Sequence, residues 1–395
     1  MNRKITCTRR TSQAAGQVRR FLLAGIAAVS LAIGLSCEPS RPTTVAQSAG
    51  STTSTAEVAK PAAAKDVSTS LADDPMIKAL LEMKKRDGRD NAMIHYVVAG
   101  KLMLNNMPNR QQEQLIPQVL DQGWNASAAP LLPLIEALQP MFQEIRKGTA
   151  LDYARDVGGE WQGPWGVLKR SNTPVPNFLA AQTSAKMLCV EGRYFESQGK
   201  YNNALDDYLT ALTLGRDYGT SGATVLGGLI SIQIQSTVLA QIHDLVVVGN
   251  LDRSTLGRLL ARLQAIENTE GPIVETTQRE ANMVKSWGGR PTLFLEKRVR
   301  FLVMKAYLLE TQIAAALAAY RLEKGRYPQR LADLAPAYFK AAPLDPFSGV
   351  EFKYRCAPDG SSYSLYSVGP DKTDDGGAMR YDSKNGTVSP GDIFF

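Results

Sequence analysis

Apolar residues recur at helical spacing through most of the chain and switch to alternation only near its C-terminus. Asp73-Asp74-Pro75 reads as a helix start, an Asp cap with Pro in the first turn. Met76, Leu80, Leu81 and Met83 then form an apolar stripe that the charged run Lys84–Arg89 interrupts. Asn91–Asn105 carries Met93, Val97, Val98, Leu102 and Leu104, and further helices are predicted at Arg110–Gln122 and Ser127–Arg146. Val157–Pro176, with Trp161 and Trp165 among glycines and prolines, is predicted to be an irregular loop packed by its aromatics. Helical periodicity resumes over Phe178–Tyr218. The pairs Ser221–Val248 with Ser254–Asn268, and Glu270–Trp287 with Pro291–Arg326, continue it.

That last helix carries Ala315, Leu317, Ala318 and Leu322 at helical spacing and breaks at Gly325 and Pro328. A proline-punctuated turn over Ala342–Gly349 leads into two alternating runs, Val350–Arg355 and Tyr363–Val368. They flank Ala357-Pro358-Asp359-Gly360-Ser361 and so predict an antiparallel hairpin. Gly369–Gly377 is too rich in Gly and Asp to continue a ladder. The fold class expected is mainly α, helical hairpins in an α-solenoid, followed by a small α+β region with an antiparallel sheet.

Two resemblances sharpen this picture. In Phe178–Tyr218, residues Gly192, Phe195, Gly199, Tyr201, Ala204, Tyr208 and Ala211 fall where small and large residues alternate in a tetratricopeptide-like (TPR-like) helical hairpin. Small residues let the two helices approach, and the aromatics fill the groove between them. No second clean copy occurs, so a degenerate helical-repeat array is expected, with a single irregular helical domain as the alternative. The words AYRLEKGRYPQRLADL, PLDPFSG, YSLYSVGPD and the closing Gly391-Asp392-Ile393 resemble the periplasmic head of the type II secretion major pseudopilin. The likeness covers roughly the last quarter of the chain. It departs where that family assembles: the segment before Ala315 holds Lys297, Arg298, Arg300 and Lys305, where a pseudopilin has an apolar N-terminal helix. A genuine pilus subunit is therefore disfavoured, and the chain reads as such a head on another body.

The N-terminus places the protein. Residues 1–20 contain Arg3, Lys4, Arg9, Arg10, Arg19 and Arg20 and no acid, and Phe21–Leu35 is an uncharged apolar run. Its length suits a signal peptide and falls short of the ~20 residues of a membrane span. It ends at Leu35-Ser36-Cys37, which resembles a bacterial lipoprotein signal with Cys37 as the acylated residue. Gly34 and Leu35 depart from the usual lipobox, so ordinary secretory cleavage nearby is the alternative. Arg19-Arg20-Phe21-Leu22 lacks the spacer of a twin-arginine signal. Glu38–Leu71 is Ser, Thr, Ala, Pro and Lys with almost no large apolar residue, a composition that cannot offset the entropy of ordering. It reads as a tether. The organisation expected is a signal peptide over 1–36, an acylated Cys37 and tether over 37–72, a helical repeat-like domain over 73–290, and a long helix plus α+β head over 291–395. Glu38 is not the Asp that retains lipoproteins at the inner membrane in some bacteria, so an outer-membrane anchor facing the periplasm is favoured.

The leader also changes the charge argument. The net charge of +7 includes six basic residues before Cys37; of 45 Lys and Arg, 39 remain against 38 acids. The basic balance belongs to export and implies no nucleic-acid partner. Of four cysteines, Cys189 and Cys356 remain in the body; nothing in their spacing argues for a disulfide, and each is expected as a buried thiol.

Candidate chemistry is sparse. Asp371, Asp374 and Asp375 lie beside Gly369, Gly376 and Gly377, and carboxylates so close repel unless a cation or water separates them. Ca²⁺ accepts 6–8 oxygens, backbone carbonyls included. The pseudopilin resemblance implies calcium here, with Asp371 and one of Asp374 and Asp375 as side-chain ligands and a carbonyl near Tyr366 or Ser367 as a further one. The plainer account is a solvated turn using Asp and Gly for backbone reasons. His95 and His243 sit singly in helical patterns, and no HExxH, P-loop, GxGxxG or GxSxG occurs. Asp206-Asp207 reads as a solvated helix face. The function expected is a non-enzymatic envelope lipoprotein that binds protein partners, secretion-system components among them. An envelope hydrolase with its site in the helical groove is the alternative.

Overall fold

The computed structural model describes residues 74–157, 178–221, 225–248, 251–267, 292–382 and 388–394, with single positions at 278, 282 and 285. The expected signal peptide, Cys37, the expected tether, residues 158–177 of the predicted loop segment and nearly all of Glu270–Trp287 lie outside the described residues. Residues Pro75–Phe395 form one compact unit, mainly helical, with a small two-stranded antiparallel sheet.

The first helices begin where their caps dictate. α1 (Pro75–Asp87) starts on its proline, and α2 (Ala92–Asn105) on Asn91, whose side chain accepts from Met93 N at 3.1 Å. Asn91 also bonds both ways with the Arg155 backbone, at 2.7 and 3.0 Å, which pins the start of α2 to a later loop. α3 (Arg110–Gln122) opens on a capping box between Asn109 and Gln112 and stops at Gly123. The predicted helix Ser127–Arg146 is three pieces: a 3₁₀ turn over Ala126–Leu131, α4 (Leu132–Ala137) and α5 (Gln139–Thr149). Pro133 and Pro140 lack the N–H that would carry one helix through, and each instead sits in a first turn.

α6 (Phe178–Ser197) and α7 (Tyr201–Thr220) form the central antiparallel hairpin, turned at Gly199 with φ 72°. α8 (Val225–Val248) packs on both, and α5 and α3 pack on α6. Here the small-and-large pattern has its physical meaning. A Cβ at Gly192 would overlap the Tyr208 ring, and one at Gly148 on α5 the Tyr96 ring. Both tyrosines are essentially fully buried, so the glycines set how closely the helices approach.

α9 (Arg253–Glu267) and α10 (Thr292–Lys324) are the last two α-helices among the described residues. α10 is the one described helix long and apolar enough to cross a membrane, and 78% of that apolar window is buried inside the protein. Its burial explains its composition, because a helix apolar on all sides needs partners on all sides. Phe301, Met304, Leu308 and Ala315 join the main core of α1–α9. Leu309, Ile313, Ala316 and Leu317 meet Leu331, Leu334, Phe352 and Leu365. Val303 and Ala306 meet Phe347, Val368, Tyr381 and Ile393.

Past Gly325 (φ 74°), the hairpin forms as predicted, with shorter strands. β1 (Lys353–Cys356) pairs antiparallel with β2 (Tyr363–Tyr366) in the register Lys353↔Tyr366 to Cys356↔Tyr363. The alternating runs outlast the ladder because their ends change partner: Glu351 bridges back to Leu344, and Ser367 bridges to Ile393. Cys189 is a buried free thiol, while Cys356 is free and only half-buried.

Candidate functional site

The acidic loop hangs from a short frame of backbone bonds. Ser367 and Ile393 exchange N–H···O bonds at 2.9 Å each way. Tyr381 N donates to Asp392 O and Asp392 N to Met379 O, both at 2.9 Å, which stitches the far side of the loop to the C-terminal segment. Gly369 (φ 71°) passes so close to Gly391 that any side chain would strike the Gly391 carbonyl. The loop and residues 391–393 therefore form one layer.

Within it the three predicted carboxylates go different ways. Asp371 Oδ1 accepts from Thr373 N at 3.1 Å, a local turn. Asp374 faces Lys353 on β1: its Oδ2 lies 2.9 Å from Nζ, and its Oδ1 accepts from Tyr366 Oη and Gly376 N, each at 3.0 Å. The Lys353 ammonium and then the Gly376 N–H hold its carboxyl below the usual aspartate range. Asp375 is half-buried, and its Oδ2 has no protein hydrogen-bond partner.

Sequence reasoning missed the fourth member. Asp392 is fully buried; its Oδ2 accepts from Gly377 N at 2.8 Å, and its Oδ1 has no hydrogen-bond partner in the protein. Burial pushes its carboxyl up, the Gly377 N–H opposes this, and the charges of Asp374 and Asp375 add to the rise. The closing Gly391-Asp392-Ile393 is visible in the sequence, but its place beside the loop is set by long-range pairing, Ser367 with Ile393 and Arg380 with Asp392. No three His, Cys, Asp or Glu side chains among the described residues converge into a ready-made metal cage. Two buried carboxylate oxygens here lack a hydrogen-bond partner, Asp375 Oδ2 and Asp392 Oδ1, and carboxylate oxygen is the donor type a hard divalent ion takes. Asp371 and Asp374 are engaged elsewhere.

The histidines hold structural positions. His95 Nδ1 shares a 2.8 Å hydrogen bond with Glu144, which also pairs with Lys147 at 2.6 Å. Burial on α8 pushes His243 down to about 4, against the attraction of Asp244, so it is neutral at pH 7. Asp206 and Asp207 do not share a solvated face. Asp206 is exposed and pairs with Arg258 at 2.7 Å, whereas Asp207 is buried. Adjacent helical residues point about 100° apart, so one carboxylate meets water and the next the core. A recess beside α1 is lined by Lys78, Leu81, Glu82, Lys85, Arg89 and Asp90 among others, and holds no histidine or hydroxyl.

Compared with known sequence families, curated proteins and solved structures, the chain matches none.

Proposed function

We propose that this protein is an exported, lipid-anchored envelope lipoprotein that binds protein partners through a TPR-like body and a pseudopilin-like C-terminal head steadied by Ca²⁺. The fully buried Asp392, with one oxygen unsatisfied beside the unsatisfied Asp375, carries the calcium part of the reading. Leaving a buried carboxylate oxygen unpaired is costly, and a divalent cation removes both the unmet acceptors and the like-charge repulsion. Asp375 and Asp392 would hold the ion with backbone carbonyls, and its chemistry is structural: it would tie the loop to the C-terminal segment.

The body supports the binding part. The interlock of Gly192 with Tyr208 builds a tight α6–α7 hairpin with α5 and α8 stacked beside it, as helical-repeat packing requires. Cross-linking the lipidated full-length protein in native membranes and identifying what it captures tests the partner class. Pseudopilins or other secretion components are expected. Their absence from the captured set overturns the secretion link.

A further inference from the structure

Three helices of the body meet at a charge cluster that the binding reading does not use. Arg146 on α5 sends Nη2 to Glu191 Oε2 on α6 at 3.0 Å and to Asp207 Oδ1 on α7 at 2.6 Å. Gln139 Nε2, also on α5, donates to Glu191 Oε1 at 2.6 Å. The side chains of Glu191 and Asp207 are 4% and 2% exposed, and that of Arg146 40%, so both acids are shut off from water while the cation reaches it. Asp207 Oδ2 is buried and has no hydrogen-bond partner when both acids are written as carboxylates.

The charge does not balance. Two carboxylates share one guanidinium in a site that water hardly reaches, where an uncompensated charge is costly. Among the described residues, Arg193, Arg258 and Arg262 are held by other partners. On α6, Arg193 is taken by Glu196 and by Asp244 of α8. On α9, Arg258 pairs with Asp206, and Arg262 donates to Thr213. On α8, His243 is neutral at pH 7. Cys189, near Asp207 on α6, is kept a thiol by burial, which pushes it far up.

We infer that Glu191 and Asp207 share one proton, forming a carboxyl–carboxylate latch that clamps α5, α6 and α7 together and opens when that proton is lost. The proton sits on the otherwise unpaired Asp207 Oδ2 and is donated toward Glu191. Opening passes it to solvent base, breaks that hydrogen bond and leaves two carboxylates facing each other across Arg146. Burial first, and the Glu191 charge second, push the Asp207 carboxyl up to about 8, against the pull of Arg146. The folded chain therefore keeps a proton that the unfolded chain has released above its ordinary value of 3.8. Stability falls as pH rises between these values and levels off beyond the upper one. The latch needs neither the anchor nor a partner.

Two measurements on the full chain test this. Difference infrared spectroscopy between about pH 6 and about pH 9 should show a protonated-carboxyl stretch lost on deprotonation, absent from Asp207→Asn. The thermal midpoint should drop by several degrees over the same range in the parent chain, and stay flatter in Asp207→Asn and in Glu191→Gln. The second variant serves if the first does not fold. A folded parent with no protonated-carboxyl signal of Asp207 at the lower pH, or a pH slope that neither variant changes, overturns the latch.

Discussion

Ser367 Oγ donates to Asp345 Oδ1 at 2.9 Å across 22 residues of chain, and both residues are buried. Asp345 also accepts from Phe347 N at 2.9 Å, from Val368 N at 3.1 Å and from Ser348 Oγ at 3.2 Å. One carboxylate thus closes its own turn and fastens that turn to the end of β2, where the chain leaves for the acidic loop. Four donors on a buried anion are what make its burial tolerable.

Asp345→Ala should therefore destabilise the protein by about 3 kcal/mol, since it strands the Val368 N–H and the Ser367 hydroxyl. Asp345→Asn should cost less, about 1–2 kcal/mol, because one acceptor oxygen survives. Denaturant unfolding of the two variants checks the order. Equal losses would show that the turn and not the carboxylate sets the stability.

Addition of about 1 mM Ca²⁺ to the full chain should raise its thermal midpoint, and Asp392→Asn should abolish the rise. Asp371→Asn should leave the rise in place, since Asp371 is occupied in its own turn. An unchanged midpoint in the parent chain removes the ion from the proposal.

Gly192→Ala should cost about 1–3 kcal/mol, because the added methyl enters the space of the Tyr208 ring. Gly257→Ala on the exposed face of α9 meets nothing within 4 Å and should stabilise by about 0.5–1 kcal/mol. Chemical denaturation of the two side by side separates close packing from helix propensity.

His243 adds an acid-side dependence. Its folded value of about 4 lies below the ordinary 6.5, so the unfolded chain takes up the proton first as pH falls. The stability it contributes is present above 6.5 and is lost through that interval, a direction opposite to that of Asp207. In His243→Gln the midpoint should fall less between about pH 7 and about pH 4, as thermal melts would show.

Export makes a separate claim. Cys37→Ser should abolish labelling by radioactive palmitate and move the protein from the membrane to the soluble fraction. Persistence of the label would place the acyl group elsewhere.

What the sequence disclosed and withheld follows from range. Local signals worked: Asn109 with Gln112 and Gly123 bracket α3 at its predicted bounds, and the hairpin sits within its alternating runs. Gly192 and Tyr208 were legible as a small-and-large pair because helix packing leaves a periodic trace. Pro140 lies inside an apolar pattern that reads as one helix, yet it sits in the first turn of α5, where its missing N–H costs nothing, whereas Pro117 is carried inside α3. Asp207 lies on the helical face of Ala204, Tyr208 and Ala211, so its burial was legible in the period, whereas Asp392 is buried against a loop distant in sequence. The unsatisfied oxygens belong to Asp375 and Asp392, whereas proximity and the pseudopilin resemblance point to Asp371 with one of Asp374 and Asp375.

The three-way burial of α10 has a bearing on how the chain could be divided. A module that is shuffled between proteins must have a seam, a boundary along which it can be cut without baring apolar surface on either side. α10 offers none, since Met304 and Leu308 belong to one cluster, Ile313 and Leu317 to a second, and Val303 and Ala306 to a third. The C-terminal quarter cannot be exchanged for another without remaking the helix that the body also leans on. A cut through α10 would bare apolar surface on both sides of it.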